Sequence, residues 1–237
     1  KSRSRGLGDV YKRQIEDINP ATSEVIATIP RSNSNDVNEA VLAADKARDN
    51  WSSLSLDERR KWLEKIANAL EARSDEIAKL ESLDTGKPIK IARAVDASRS
   101  VANFRFFAEF SKDFHEQKFL MEDATNHVIF KPVGIAGLIT PWNLPLYLLS
   151  WKIAPAIVMG NTVVAKPSEL TPLTANLLAE VFDEVGLPAG VVNIVHGFGH
   201  ETGQAIVSHP HVNLISFTGG TITCLLYTSP SPRDLDL

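Results

Sequence analysis

Cysteine is all but missing: the 237 residues contain one, Cys224. That excludes a disulfide framework and is compatible with a reducing compartment. Long apolar runs are missing too. The longest, residues 144–160, carries Lys152 near its middle and falls short of the ~20 residues that cross a bilayer, so it reads as buried helix. Positive charge is in deficit, with 25 Lys and Arg against 29 Asp and Glu. Five of those basic residues lie within the first fourteen, so the interior is more acidic still, and no nucleic-acid partner fits that sign. There is no GxSxG elbow and no Walker sequence, which argues against a serine hydrolase and a P-loop nucleotidase. His196 and His200 stand four apart, but a glycine-rich turn lies between them and no acidic ligand is patterned with them, so no metal site is expected.

The lone thiol lies in a segment that is not independent of the opposite end. Residues 4–14 back-translate to a DNA string whose reverse complement, read one position on, encodes residues 224–234. That string resembles the transposase adaptor used in preparing sequencing libraries. Residues 1–14 and 224–237 are therefore expected to be adaptor-like artefact, set aside from fold reasoning, with Cys224 inert. What remains, residues 15–223, is enough for one domain with an appendage.

The first half reads helical. Residues 36–51 place Val37, Ala40, Val41, Ala44 and Ala47 on one stripe. Ser55 and Glu58 form a capping box ahead of Trp62, Leu63, Ile66 and Leu70. A third helix over 74–83 stops near Thr85 and Gly86, where glycine takes the left-handed conformation. A long helix over 92–114 carries Phe104, Phe106, Phe107, Phe110 and Phe114, a face expected to pack in the core. The character changes near residue 127. Residues 127–133 alternate as an edge strand or hairpin arm, and apolar runs at 134–140, 162–165, 191–195 and 214–217 read as buried strands. Helical stretches at 145–159, 172–185 and 200–208 separate them. The expected fold is α/β, an N-terminal helical segment leading into an open parallel Rossmann-like sheet. Ligands of such sheets bind at the carboxyl ends of the strands.

Each strand end carries polar or glycine-rich residues. Asn143, just before Pro145, could donate to a developing negative oxygen or simply cap the following helix. Lys166 and Glu169 offer point-charge donors and a bidentate acceptor suited to a ribose diol, or form a surface ion pair. Gly199 and Gly203 fall in a GxGxxxG pattern, one residue longer than the strict dinucleotide fingerprint, which suits a phosphate or merely a tight turn. Phe217, Thr218, Gly219 and Gly220 end the fourth run.

NPATSEVIATIP (19–30), LDTGKPI (83–89), TPWNLP (140–145), MGNTVVAKPSELTP (159–172), GLPAGVVNIVHGFG (186–199) and ISFTGGT (215–221) together resemble the aldehyde dehydrogenase superfamily. They occur in that family's order and cover nearly all of 15–223. FRFFAEF (104–110), PWNLPLYLLSWKIAPA (141–156) and FTGGT (217–221) are similar to the branch acting on 2-amino- or 2-hydroxymuconic semialdehyde. The resemblance implies the family's coenzyme domain, here incomplete, and an NAD-dependent oxidation of an aldehyde to the acid. It implies that Asn143 helps form the oxyanion hole. Ile139, Thr140, Pro141 and Trp142 would line the nicotinamide side, and Lys166 and Glu169 would hold the adenine ribose. A glutamate there favours NAD over NADP. Gly199 and Gly203 would lie near adenine and pyrophosphate, with Phe217, Thr218 and Gly219 in the next loop, while Gly220 departs from the usual serine. The family's nucleophilic cysteine and general-base glutamate normally lie beyond the FTG segment, so this chain is expected to be inactive alone. Other expectations are a cytoplasmic, homodimeric or homotetrameric parent, with a near-120–133 oligomerisation strand and no nucleic-acid or membrane partner. The alternatives are another semialdehyde or betaine-aldehyde dehydrogenase, or a non-catalytic dinucleotide-binding fragment.

Overall fold

The computed structural model describes residues 13–114 and 116–227. Of the two adaptor-like stretches, residues 1–12 and 228–237 lie outside the described residues. Regular structure runs from Gln14 to Tyr227 and so crosses both of those boundaries.

The chain begins with an antiparallel hairpin, β1 (Gln14–Ile18) and β2 (Val25–Pro30), with an irregularity at Asp17 and Ile18. The helical reading of the first half had no place for it. Helix α1 (Ser34–Ser53) starts two residues earlier than its apolar stripe because Asn33 and Asp36 form a capping box. In α2 (Leu56–Ala72) Ser55 and Glu58 cap as expected, with Ser55 N 2.7 Å from Glu58 Oε2 and Glu58 N 3.2 Å from Ser55 Oγ. Helix α3 (Ser74–Thr85) ends at Gly86, whose φ of 73° is the left-handed stop.

The long fourth helix is not continuous. A π-helical segment, Ala92–Ala97, leads into α4 (Ser98–Phe110), and a 3₁₀ turn (Ser111–Asp113) follows. Only part of its aromatic face is core. Phe104 is fully buried, whereas Phe106 and Phe110 are 50% and 54% exposed. The apolar periodicity is real, but no described element covers that side. Next, β3 (Gln117–Leu120) and β4 (Thr125–Val128) pair as an exposed antiparallel hairpin. The hairpin arm is thus present, although residues 129–133 do not extend its strand.

The rest alternates strand and helix: β5 (Ile135–Ile139), α5 (Pro145–Val158), β6 (Thr162–Lys166), α6 (Leu173–Glu184), β7 (Val192–Ile194), a π-helical turn (Gly199–Gly203) running into the short α7 (Gln204–Val207), β8 (Leu214–Phe217) and α8 (Thr221–Tyr227). The four strands form a parallel sheet in the order β7-β6-β5-β8. Because successive side chains of a strand point to opposite faces, Ala136, Leu138, Val163 and Ala165 pack into the larger core, which includes Leu63, Phe104 and Leu149. Ile135 and Val164 meet Val37, Val41 and Ala44 of α1 in a smaller one. Burial on both faces is why β5 and β6 read as unbroken apolar runs.

Candidate functional site

The sheet order creates a crevice before any side chain is considered. The chain builds outward from β5 to β6 and β7, then returns to add β8 on the other edge of β5. Loops leaving β5 and β8 therefore diverge to opposite faces, and a ligand can enter between them. Register puts Ile139 level with Lys166 on one side and Phe217 on the other. The Thr140 amide still donates to Lys166 O (3.2 Å) and the Thr218 amide to Ile139 O (3.1 Å). The ends of β5, β6 and β8 are thus one continuous rim.

After β5 the chain turns through Pro141, Trp142 and Asn143 into α5, with Pro145 in its first turn. Leu144 occupies the N-cap position and makes no side-chain cap bond. Asn143 consequently does not cap the helix: it is exposed, and its carboxamide bonds no described residue. Trp142 is 55% exposed, with its carbonyl 3.4 Å from Thr171 Oγ1. Thr140 is buried, and its hydroxyl has no partner among the described residues.

Lys166 is buried at the end of β6, where its Nζ donates to Pro167 O and Glu169 Oε2, each at 2.9 Å. Burial lowers the ammonium's pKa and Glu169 opposes that shift. The pair is therefore not a solvated surface contact: one partner is inside the protein and only the carboxylate reaches the rim. His196, after β7, is kept neutral. Burial and then the nearby Lys166 lower its pKa to about 4.

The glycine-rich turn behaves unevenly. The amides of Glu201, Thr202 and Gly203 all donate to Phe198 O, at 3.2, 2.9 and 3.3 Å, so they are already used. Gly199 keeps open space where a Cβ would stand. The turn is braced by groups that the sequence reading overlooked. Arg31 pairs with the Glu201 carboxylate (Nε to Oε2, 2.8 Å) and lies 5.1 Å over the Phe198 ring. Lys152 was also missed; it reaches Ser216 Oγ at 2.7 Å, and burial lowers its pKa.

Helix α5 links Asn143 to the exposed aromatics. Trp151 stacks near Phe106 (6.1 Å) and meets Phe107 edge-on (5.2 Å). Tyr147, one turn nearer Asn143, lies 6.4 Å from Trp151. Asn103 fixes the two helices by donating to Tyr147 O and Ser150 Oγ, both at 2.9 Å. Among the described residues no acidic, histidine or cysteine cluster could hold a metal ion, and no helix is long and apolar enough to cross a membrane.

Comparison with known proteins agrees with this geometry. The model of the aldehyde dehydrogenase family matches residues 9–226. The 2-aminomuconic semialdehyde dehydrogenase of Danio rerio is 51% identical over 220 residues, covering 92% of this chain and 45% of that protein. The 2-hydroxymuconic semialdehyde dehydrogenase of Pseudomonas sp. (strain CF600) is 45% identical over 224 residues, covering 92% and 46%. The NAD+ complex of an aldehyde dehydrogenase from Bacillus cereus superposes with a TM-score of 0.88 at 39% identity, covering 90% of this chain and 44% of that one. The chain spans about half the length of the curated relatives it matches.

Proposed function

Because this chain belongs to the aldehyde dehydrogenase family, we propose that it forms the coenzyme-binding half of an enzyme that oxidises a semialdehyde to the carboxylic acid with NAD. One observation carries this reading: Asn143, whose carboxamide has no partner among the described residues, stands on the same rim as the buried Lys166 and its Glu169.

The residues fit a dinucleotide. Glu169 offers two acceptor oxygens to a ribose diol, oriented by Lys166. Gly199 leaves room for close approach, and the buried Thr140 hydroxyl lacks a partner among the described residues. Ile139, Pro141 and Trp142 would flank the nicotinamide, and Phe217, Thr218 and Gly219 the opposite side of the crevice; Gly203 would support the turn rather than donate. Bound there, NAD would supply the hydride acceptor. Asn143 would donate to the aldehyde oxygen as it gains negative charge, a contribution whose loss costs about 100- to 1,000-fold in rate.

The muconic semialdehydes named in the relatives are flat and conjugated, and the Tyr147, Trp151, Phe106 and Phe107 rings give a surface that suits such a chain. We assign the nucleophilic thiol and the general base to sequence of the parent protein that this chain does not carry, so Cys224, exposed on α8 and part of the adaptor-like stretch, takes no part. Residues 1–14 and 224–237 are assigned to adaptor-derived sequence, which genomic DNA read across both junctions would confirm or refute. A cytoplasmic setting and a homodimer or homotetramer belong to the same proposal, the latter supported by the exposed β3–β4 hairpin, whose outer edges pair with no other described strand.

Calorimetric titration tests the coenzyme assignment. Saturable NAD binding, weakened about 10- to 100-fold by Glu169→Ala, supports it; absence of binding at millimolar NAD overturns it. Aldehyde turnover by the isolated chain that disappears in Cys224→Ser would overturn the assignment of the nucleophile.

A further inference from the structure

Among the described residues the Asn143 side chain has no partner to fix it, yet preorganisation is what makes an oxyanion donor effective. Its backbone is held from behind. Lys87 Nζ lies 2.9 Å from both carboxylate oxygens of Asp96 and donates to the Asn143 carbonyl at 3.2 Å. Asp96 is fully buried, and the Lys87 side chain is only 14% exposed. Asp96 sits in the π-helical segment Ala92–Ala97, an insertion in a helix that often marks a functional position. Three residues beyond Asn143 the chain is pinned again. The fully buried Glu81 accepts from the Leu146 amide (3.0 Å) and from Thr174 Oγ1 (3.1 Å).

We propose that the part-buried Lys87–Asp96 pair is a positioning device for Asn143, holding its backbone carbonyl so that the carboxamide faces the reacting oxygen. The proposal rests on the oxyanion role assigned to Asn143 above. A charged pair is suited to this task. Asp96 anchors the ammonium in a fixed place, and a lysine without it would be free to swing into solvent. Removing Lys87 releases the loop and also leaves a buried carboxylate unpaired.

The test is a double-mutant cycle in the full-length enzyme carrying these residues, with kcat, the KM for NAD and the thermal midpoint measured on every variant. Lys87→Met is expected to lower kcat about 10- to 100-fold, as for a donor displaced by about an ångström, with the KM for NAD changed less than about two-fold. Lys87→Arg, which keeps the charge, should recover part of that loss. In an Asn143→Ala background, Lys87→Met should cost less than about a further two-fold, because the group it positions is gone. Additive losses in the double variant would overturn the proposal, as would a lowered midpoint with kcat intact. Should Lys87→Met fail to fold, Lys87→Gln replaces it: an order Lys, Arg, Gln in kcat that vanishes without Asn143 supports the proposal, and no such order overturns it. An unchanged kcat in Asn143→Ala alone would instead sink the oxyanion reading, and this inference with it.

Discussion

Lys166 and Glu169 form an ion pair in which depth is divided unequally: the ammonium is 3% exposed and the carboxylate 25%, at a separation of 2.9 Å. The cation is committed to the protein, so the negative charge is what an approaching ligand meets. A ribose 2′-hydroxyl can donate to it, whereas a 2′-phosphate is repelled.

Glu169→Gln should therefore shift the coenzyme preference. The carboxamide still accepts from Lys166 but no longer repels phosphate. NADP binding is expected to strengthen relative to NAD by about ten-fold, the equivalent of about 1.4 kcal/mol. Parallel titrations with both coenzymes measure this. An unchanged ratio would mean that the carboxylate does not face the ribose.

Local chemistry made much of this fold legible. The Ser55 and Glu58 cap, the Gly86 stop and the runs that became β5 and β6 need no tertiary knowledge, because each signal acts within a few residues. The β1–β2 hairpin escapes because Asp17 and Ile29 are its only buried strand residues while Ile18 and Val25 stay about half exposed; little alternation survives to be read. Periodicity identified the aromatic face of α4 but not its covering, since a stripe records which side is apolar and not what lies over it. Strand ends located Asn143, Lys166 and Glu169. Lys87 stood in a string already singled out, LDTGKPI, yet its partnership depends on Asp96 and Asn143 being brought together by folding.

Three neighbouring carboxyls should make stability fall as pH rises. Burial pushes Glu81 from 4.5 up to about 7, with the Leu146 amide opposing, and the facing Asp96 and Lys87 add smaller effects of opposite sign. Burial likewise raises Asp84 to about 8, and its neighbour Asp17 moves in the same direction. The folded chain thus keeps protons that the unfolded chain releases. The contribution is fully present below the ordinary carboxyl values and lost as pH climbs through about 7 to 8. Thermal midpoints should decline between about pH 5 and about pH 9. Glu81→Gln, which still accepts from Leu146 and Thr174, should flatten part of that decline, and an identical slope would show that Glu81 does not titrate there.

Two glycines with the same backbone conformation should respond differently to alanine. Gly186 (φ +70°) has nothing within 4 Å of an added Cβ, whereas at Gly190 (φ +87°) that atom would stand 2.4 Å from the Ala43 carbonyl of α1. Left-handed strain is common to both and costs about 1–2 kcal/mol. Only Gly190→Ala adds a clash with helix backbone, for an expected total of about 3 kcal/mol or more. Denaturant unfolding of the two variants isolates the clash, and equal losses would mean that the 186–191 loop moves aside without cost.

The aromatic face of α4 and α5 should govern how the isolated chain associates. Phe106 stacks on Phe110 at 5.8 Å and on Trp151 at 6.1 Å, each pair within 15° of coplanar. All three rings are between 44% and 54% exposed. Contiguous apolar surface of this kind is normally covered by another molecule or segment. Replacing Phe106 and Phe110 by serine removes half-exposed rings and their stacking contacts, so each substitution should cost about 1 kcal/mol of stability. Self-association should fall sharply. Sedimentation velocity over a concentration series reads the difference. A wild-type chain that stays monomeric throughout, or a double variant that associates just as strongly, would place the sticky surface elsewhere, with the exposed Leu120 and Met121 of the β3–β4 hairpin next in line.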